Sequence, residues 1–326
     1  NAVVMRGSGY EKKFCGAAGK IFLDRIGGFH KTEHMEILLI DIDSTIPNLA
    51  LHKIAKYHEA RGDIIHWNLP ILRHAVDKIY ASCIFTKNKA EAEEWDDYGA
   101  DVGGTGYDIH KTLPDEIENF PCRINWGFTT RGCIRKCEFC FVPEKEGMIR
   151  AVGDLYDVWD GKSKNVTLMD NNILALPKHF FKVAEQIRKE KVRVDFNQGL
   201  DHRLLTPEIC RQLKAIRHKE YHFAFDSIKD IDRVGRAIMM LNDAGLKRNT
   251  WLLLVGFDST IEDDIARLEY LKERNQNAYV MRYNGRRDSR VLNQLSRWAN
   301  NHSWFQGTTW PEFCARNNFD PDASFS

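Results

Sequence analysis

Arg131-Gly132-Cys133-Ile134-Arg135-Lys136-Cys137-Glu138-Phe139-Cys140 gathers three of the chain's eight cysteines into one short loop. It follows an apolar stretch at residues 123–129, read as a strand, so the thiols sit where the chain leaves that strand. Beyond the loop, short apolar strands and amphipathic helices keep alternating. Strands fall near 123–129, 165–170, 192–197, 220–226, 250–256 and 278–283. Strands alternating with helices predict an α/β fold with a parallel sheet and right-handed crossovers. Six such units are too few to close an eight-stranded barrel, so a partial (β/α)6 barrel is the expectation.

Local signals mark the helices of this half. Thr206 before Pro207 fits an N-cap with a first-turn proline, and Ser259 with Glu262 fits a capping box. Gly245 closes a helix running from Ile228 to Ala244. Within the strands, Val192, Val194 and Phe196 alternate with Arg193, Asp195 and Asn197. Likewise Tyr279, Met281 and Tyr283 alternate with Val280, Arg282 and Asn284. One face of each strand is therefore apolar and the other polar. Polar inward positions suit a lumen that holds a polar ligand; the other reading is that they end in solvent.

Ahead of the loop the chain carries a separate run of βα signals. Glu36 to Asp41 reads as a buried strand, and Leu49 to Arg61 as a helix with Leu51, Ile54, Ala55 and His58 on one side. Lys78 to Phe85 is strand-like, and Ala90 to Tyr98 is a short acidic helix ending at Gly99. The glycine-rich stretch from Val102 to Tyr107 and the proline-containing Lys111 to Pro121 form a connector. The expected organisation is an extension at residues 1–34, an N-terminal Rossmann-like domain at 35–114, the barrel at 115–290 and a C-terminal tail at 291–326. Met35 stands directly before the first convincing strand, as an initiator would, and residues 1–34 lack the continuous apolar core of a secretory signal.

Composition narrows the class. With 47 basic and 46 acidic residues the formal charge of the 326-residue chain is +1, so charge points to neither a nucleic-acid nor a membrane partner. Hydrophobic residues at 43% and only 9 prolines describe a chain that buries a core rather than a disordered one. The longest apolar runs fall short of the ~20 residues that cross a bilayer. The clustered cysteines suit a metal site in a reducing compartment, hence a cytoplasmic setting, better than a disulfide framework. Cys15, Cys83, Cys210 and Cys314 show no paired spacing.

Three thiolates spaced four and three apart can converge on one iron–sulfur cube and leave its fourth iron without a protein ligand. A zinc knuckle or a four-thiolate electron-transfer cluster needs a fourth ligand. Cys122 is the nearest candidate, but an extended strand at ~3.3 Å per residue puts it about 23 Å from the loop.

The pattern Cys133-x-x-x-Cys137-x-x-Cys140, with Phe139 before the last cysteine, resembles the radical S-adenosylmethionine (radical SAM) superfamily over roughly residues 115–290. The resemblance implies that the three thiolates hold a 4Fe-4S cluster whose open iron binds S-adenosyl-L-methionine. It implies a radical SAM barrel, reductive cleavage of the cofactor, hydrogen abstraction from a small-molecule or macromolecular substrate, and an electron donor such as flavodoxin or ferredoxin. By the same resemblance Phe139 lies near the adenine; a core phenylalanine packing the loop is the plain alternative. Asp170 and Asn171, in the Met169-Asp170-Asn171-Asn172 stretch, stand where the family holds the cofactor's amino group, by a charge-assisted bond from Asp170. A helix cap is the plain alternative for Asp170. Asn197 and Gln198 are read as lumen hydrogen-bonders at the end of the third strand. Asp226 and Ser227 stand where the family contacts the ribose or carboxylate, and Gly256 where a bare backbone approaches the adenine. Arg203 and Arg282 are candidate substrate-binding residues, although Arg203 and Asp201 could equally form a surface ion pair.

The N-terminal half resembles the cobalamin-binding domain of one branch of that superfamily, with Gly103-Gly104-Thr105-Gly106 similar to its later glycine motif. It lacks the Asp-x-His-x-x-Gly stretch that supplies a histidine ligand: after the first strand stands only Asp41-Ile42-Asp43-Ser44. A domain without cobalamin is expected, so a cobalamin-dependent methyltransferase is the less favoured enzyme. A non-catalytic iron–sulfur or zinc module is the reading from another class. In the tail, Trp298, Trp304, Phe305 and Trp310 with Arg297, His302 and Arg316 either pack over the barrel or stack on a base. Arg282, Arg286, Arg287 and Arg290 form a local basic patch.

Overall fold

Ile37, Leu38 and Leu39 are wholly buried in β1 (Glu36–Asp41), apolar on both faces as a central parallel strand must be. In this computed structural model the described residues are 34–283 and 289–320. Residues 1–33 of the expected extension, Cys15, Asn284, Arg286 and Arg287 lie outside them. α1 (Leu49–Ala60) follows β1, capped by the Asn48 side chain, and buries Leu51, Ile54, Ala55 and His58 as its periodicity predicts. Then come β2 (Ile64–Trp67), β3 (Lys78–Ser82), α2 (Lys89–Asp97) and β4 (Asp101–Gly103). The sheet has the order β2-β1-β3-β4, with all three pairings parallel. β2 escaped the sequence reading, and the strand expected to reach Phe85 ends at Ser82.

The second half opens with α3 (Asp115–Glu118), β5 (Trp126–Gly127) and β6 (Thr130–Arg131), so the strand expected at 123–129 shrinks to the two residues of β5, and β6 beyond it belongs to another sheet. α4 (Val142–Glu146), β7 (Arg150–Ala151) and α5 (Leu155–Val158) lead to β8 (Asn165–Leu168) and α6 (Pro177–Glu190). Next are β9 (Arg193–Phe196), α7 (Pro207–Ala215), β10 (Arg217–His218), β11 (His222–Ala224) and α8 (Ile231–Asp243). β12 (Thr250–Val255), α9 (Ile261–Glu273) and β13 (Asn277–Arg282) follow. α10 (Arg290–Ala299), α11 (His302–Gly307) and α12 (Trp310–Arg316) end the described chain.

Two parallel sheets, β5-β8-β9-β10 and β11-β12-β13, carry this half, and a parallel bridge from Leu200 to Phe223 joins them. Within each of these two sheets the strands thus follow chain order, with the β6–β7 ribbon, between β5 and β8 in the chain, set apart. Two local readings need correction. The α9 cap is Thr260 with Asp263, one residue later than the expected Ser259 and Glu262. On β13 Ala278 and Val280 are buried, with Asn277 at its start, whereas Tyr279 is 47% exposed. A tyrosine carries a polar tip, so its presence alone does not identify the inward face.

One hydrophobic core runs from Leu155 to Phe319, and Trp298, Phe305 and Trp310 lie inside it beside the strands. Among the described residues no helix is long and apolar enough to cross a membrane.

Candidate functional site

The cysteine loop is an excursion with a closed stem. β6 and β7 pair antiparallel, Thr130 opposite Ala151 and Arg131 opposite Arg150, and everything between them projects from the sheet. At the stem Gly132 has φ +83°, and a Cβ there would stand 2.6 Å from the carbonyl oxygens of both Gly147 and Met148. Only glycine accepts both conditions. Cys133 N–H donates to Gly147 O at 3.2 Å across the same neck.

Two carboxylates tie the stem to the sheet. Glu146, at the end of α4, accepts from Gly132 N at 2.9 Å and from Asn171 Nδ2 at 2.7 Å through Oε2, and faces Arg131 through Oε1. Asp170, 3% exposed at the end of β8, accepts through Oδ1 from the backbone N–H and hydroxyl of both Thr129 and Thr130. Its Oδ2 is buried with no hydrogen-bond partner. Burial pushes this carboxyl up in pKa, and the four threonine donors oppose that rise. Asp170 therefore fixes the corner that leads into the loop rather than capping a helix.

A third carboxylate holds the loop from the opposite side. Asp201 Oδ2 accepts from Arg135 Nε at 2.8 Å and from Asn172 Nδ2 at 3.2 Å, and Oδ1 accepts from Arg203 Nε at 2.7 Å. The Asp201–Arg203 pair exists, but the Asp201 side chain is only 5% exposed, so it is no surface pair. Burial works to raise the Asp201 carboxyl; Arg203 and Arg135 outweigh it and hold the pKa below the ordinary range.

Cys133, Cys137 and Cys140 are all free thiols and half-buried. Cys133 Sγ accepts N–H bonds from Arg135 N at 3.3 Å and Asn172 Nδ2 at 3.5 Å. Burial pushes the Cys137 thiol up; Arg203 opposes this, while Cys140, Asp226 and Cys133 reinforce it. Burial does the same to Cys140, against the Val142 N–H and together with Cys133, Asp226 and Glu146. The three sulfurs thus share one electrostatic neighbourhood, with Asp226 facing it. Among the described residues no three His, Cys, Asp or Glu side chains are grouped to hold a metal ion. Cys122 is buried elsewhere, beside Lys53 and Lys56 of α1.

The remaining candidates divide. Phe139 packs edge-on against Phe257, ring centroids 5.6 Å apart, and Phe257 packs on Tyr283 at 4.8 Å. Gly256, at φ +75°, makes the turn that delivers Phe257 from the end of β12. Asp226 accepts from Leu254 N at 3.3 Å, and burial pushes its carboxyl up. Ser227 is spent on capping, accepting from Lys229 N. Asn197 and Gln198 form an exposed turn after β9. Arg282 is bonded to Asn293 of α10.

Sequence reasoning missed Glu146, Asn172 and Arg135 as loop anchors, since their partners lie 14 to 66 positions away. It also missed Arg267, wholly buried, which donates to the Phe225 and Leu254 carbonyls and pairs with Asp264. Lys145 of α4 donates to Thr105 Oγ1 at 3.3 Å, so the N-terminal unit's glycine loop meets the helix that follows Cys140. In that loop a Cβ on Gly104 would lie 2.2 Å from Cys83 O, and one on Gly106 would lie 2.5 Å from the Phe85 carbonyl carbon. Close backbone packing therefore accounts for both glycines. No protein-family model and no curated protein matches the chain.

Proposed function

We propose that this chain is a radical SAM enzyme: a Rossmann-like unit followed by a partial (β/α)6 barrel, with Cys133, Cys137 and Cys140 binding a 4Fe-4S cluster. The observation that carries the reading is the thiol loop, on a stem fixed by Asp170 and Glu146, beside parallel strands in chain order. What supports an iron–sulfur cluster is the chemistry of the donor set, three half-buried thiols in one loop, although the described residues do not gather them around a single ion. A mononuclear zinc site asks its sulfurs to stand about 2.3 Å from one ion, whereas a cube asks each cysteine only to reach its own iron. Two N–H donors are directed at Cys133 Sγ, from Arg135 N and Asn172 Nδ2.

When bound, a reduced cluster supplies the electron that cleaves S-adenosyl-L-methionine to methionine and a 5'-deoxyadenosyl radical. The chain's own residues bind, orient and exclude water. Asp201 grips the loop through Arg135, and Arg203 brings positive charge to Cys137. Phe139 and Phe257 offer an apolar wall at the ends of the strands, while Asp226 and Asn171 offer polar groups for the cofactor's amino acid and ribose; Asn197 and Gln198, read from the sequence as lumen hydrogen-bonders, stand in an exposed turn instead. Asp170 acts through the Thr129–Thr130 corner, with Oδ2 left to accept a further donor. Cobalamin has no part in this reading, because the chain has only Asp41-Ile42-Asp43-Ser44 after its first strand and lacks the histidine motif.

Anaerobic reconstitution with iron and sulfide tests the proposal. The expected result is an absorbing cluster whose spectrum S-adenosyl-L-methionine perturbs, and release of 5'-deoxyadenosine on reduction. An intact, reduced cluster that releases none, or a colourless protein carrying one stable zinc, overturns it.

A further inference from the structure

Four arginines converge on a cavity of about 660 Å³ on the flank of the cysteine loop. Arg135 comes from the loop, Arg203 from the turn after β9, and Arg233 and Arg236 from α8. Residues 233, 236, 240 and 243 form one stripe along α8, the spacing that puts side chains on a common helical face. Met239, Met240 and Leu205 supply an apolar wall.

The charges are incompletely matched. Arg135 and Arg203 share a single carboxylate, Asp201, each through Nε. Their terminal N–H groups are left over for another acceptor, since a guanidinium carries five donors. Arg233 is paired with Asp230 at 3.0 Å. Arg236 has no ion-pair partner among the described residues, and Asp243 is the acidic side chain of the lining. Like charges gathered around a concavity repel unless an anion sits between them, and the planar fork of arginine matches phosphate oxygens in pairs. A cavity of this size accommodates a small organic molecule rather than a bare ion.

We propose that this cavity binds a phosphate-bearing small molecule of about nucleotide size, its phosphate held by Arg135, Arg203, Arg233 and Arg236 and its organic part lying on Met239 and Met240. The site goes beyond the cluster chemistry and does not rest on it. Because Arg135 and Arg203 belong also to the loop anchor, an occupied site is coupled to the loop's position.

Isothermal titration of the full chain with pyrophosphate, adenosine 5'-diphosphate, citrate and a short single-stranded RNA tests it. Saturable binding of the diphosphate nucleotide, weakened about tenfold by Arg236→Ala, is the expected result, since one charged hydrogen-bonding partner is worth that much. Arg236→Ala removes an exposed, unpaired side chain, so the fold survives; circular dichroism checks this. As a control, Arg217→Ala, at a separate basic hollow beside Lys164 and Arg193, leaves the nucleotide affinity unchanged. Binding of pyrophosphate alone at equal affinity keeps the phosphate site but overturns the nucleotide-sized ligand. Preference for citrate, binding of RNA only, no saturable binding, or no effect of Arg236→Ala overturns the proposal.

Discussion

Arg135, in the middle of the cysteine loop, donates through Nε to Asp201 at 2.8 Å, although 66 positions separate them in the chain. Asp201 at once receives Arg203 on its other oxygen, so one buried carboxylate joins the loop to the end of β9. Asp201→Asn keeps the shape and removes the charge. The expected loss is about 2 kcal/mol, the scale of hydrogen bonds to charged groups, read as a lowered urea midpoint with an unchanged slope.

The same group sets an acid limit. Its folded pKa lies below the ordinary 3.8 because Arg203 and Arg135 overcome the effect of burial. A depressed carboxyl contributes stability above its unfolded value, and that contribution is lost as pH falls below 3.8 towards the folded pKa. Stability measured from pH 6 down to pH 3 therefore falls more steeply in the wild-type chain than in Asp201→Asn. Equal slopes would remove Asp201 from this role.

Gly132→Ala tests the neck of the loop. The substituted residue keeps φ at +83° and meets two carbonyl oxygens at 2.6 Å. Left-handed backbone alone costs about 1–3 kcal/mol, and the contacts add to it. Thermal unfolding then shifts downward while far-ultraviolet dichroism keeps its shape. Gly147→Ala, where no atom lies within 4 Å of the added carbon, loses only the conformational part.

Cysteine replacements separate cluster ligands from bystanders. Cys133→Ser, Cys137→Ser and Cys140→Ser each abolish iron and sulfide incorporation as measured by metal analysis and absorbance. Cys122→Ser, buried beside α1, keeps full incorporation.

Buried charge gives a further test. Arg267 and Asp264 are both wholly buried, and removing one leaves the other uncompensated. Arg267→Met alone costs about 3–5 kcal/mol. Joining it with Asp264→Leu recovers part of the loss, which a double-mutant cycle in denaturant reads directly.

Much of the α/β alternation was legible because its signal is local. Leu51, Ile54, Ala55 and His58 repeat with helical period and are all buried, and Thr206-Pro207 announces α7 as written. β2 was not legible: Ile64-Ile65-His66-Trp67 is a short strand at the end of the sheet order, only partly buried, without the apolar run of β1. The site was legible in its cysteines, which cluster in sequence, and hidden in its anchors. Asn172, Asp201 and Glu146 are ordinary polar residues until the fold brings them to the loop. Arg267 and Asp264, three positions apart, look like any solvated pair on a helix surface, and only the carbonyls of Phe225 and Leu254 draw the arginine inside.

The antiparallel ribbon of Thr130–Arg131 with Arg150–Ala151 has a consequence for how such a chain diversifies. Because its two ends clasp each other while Arg135 and Glu146 are tethered to residues that follow β9 and β8, the excursion is pinned at its neck and at two points along its length. Insertions are therefore accommodated between those pins, and a transplanted segment needs the partners of both tethers as well as the two ends.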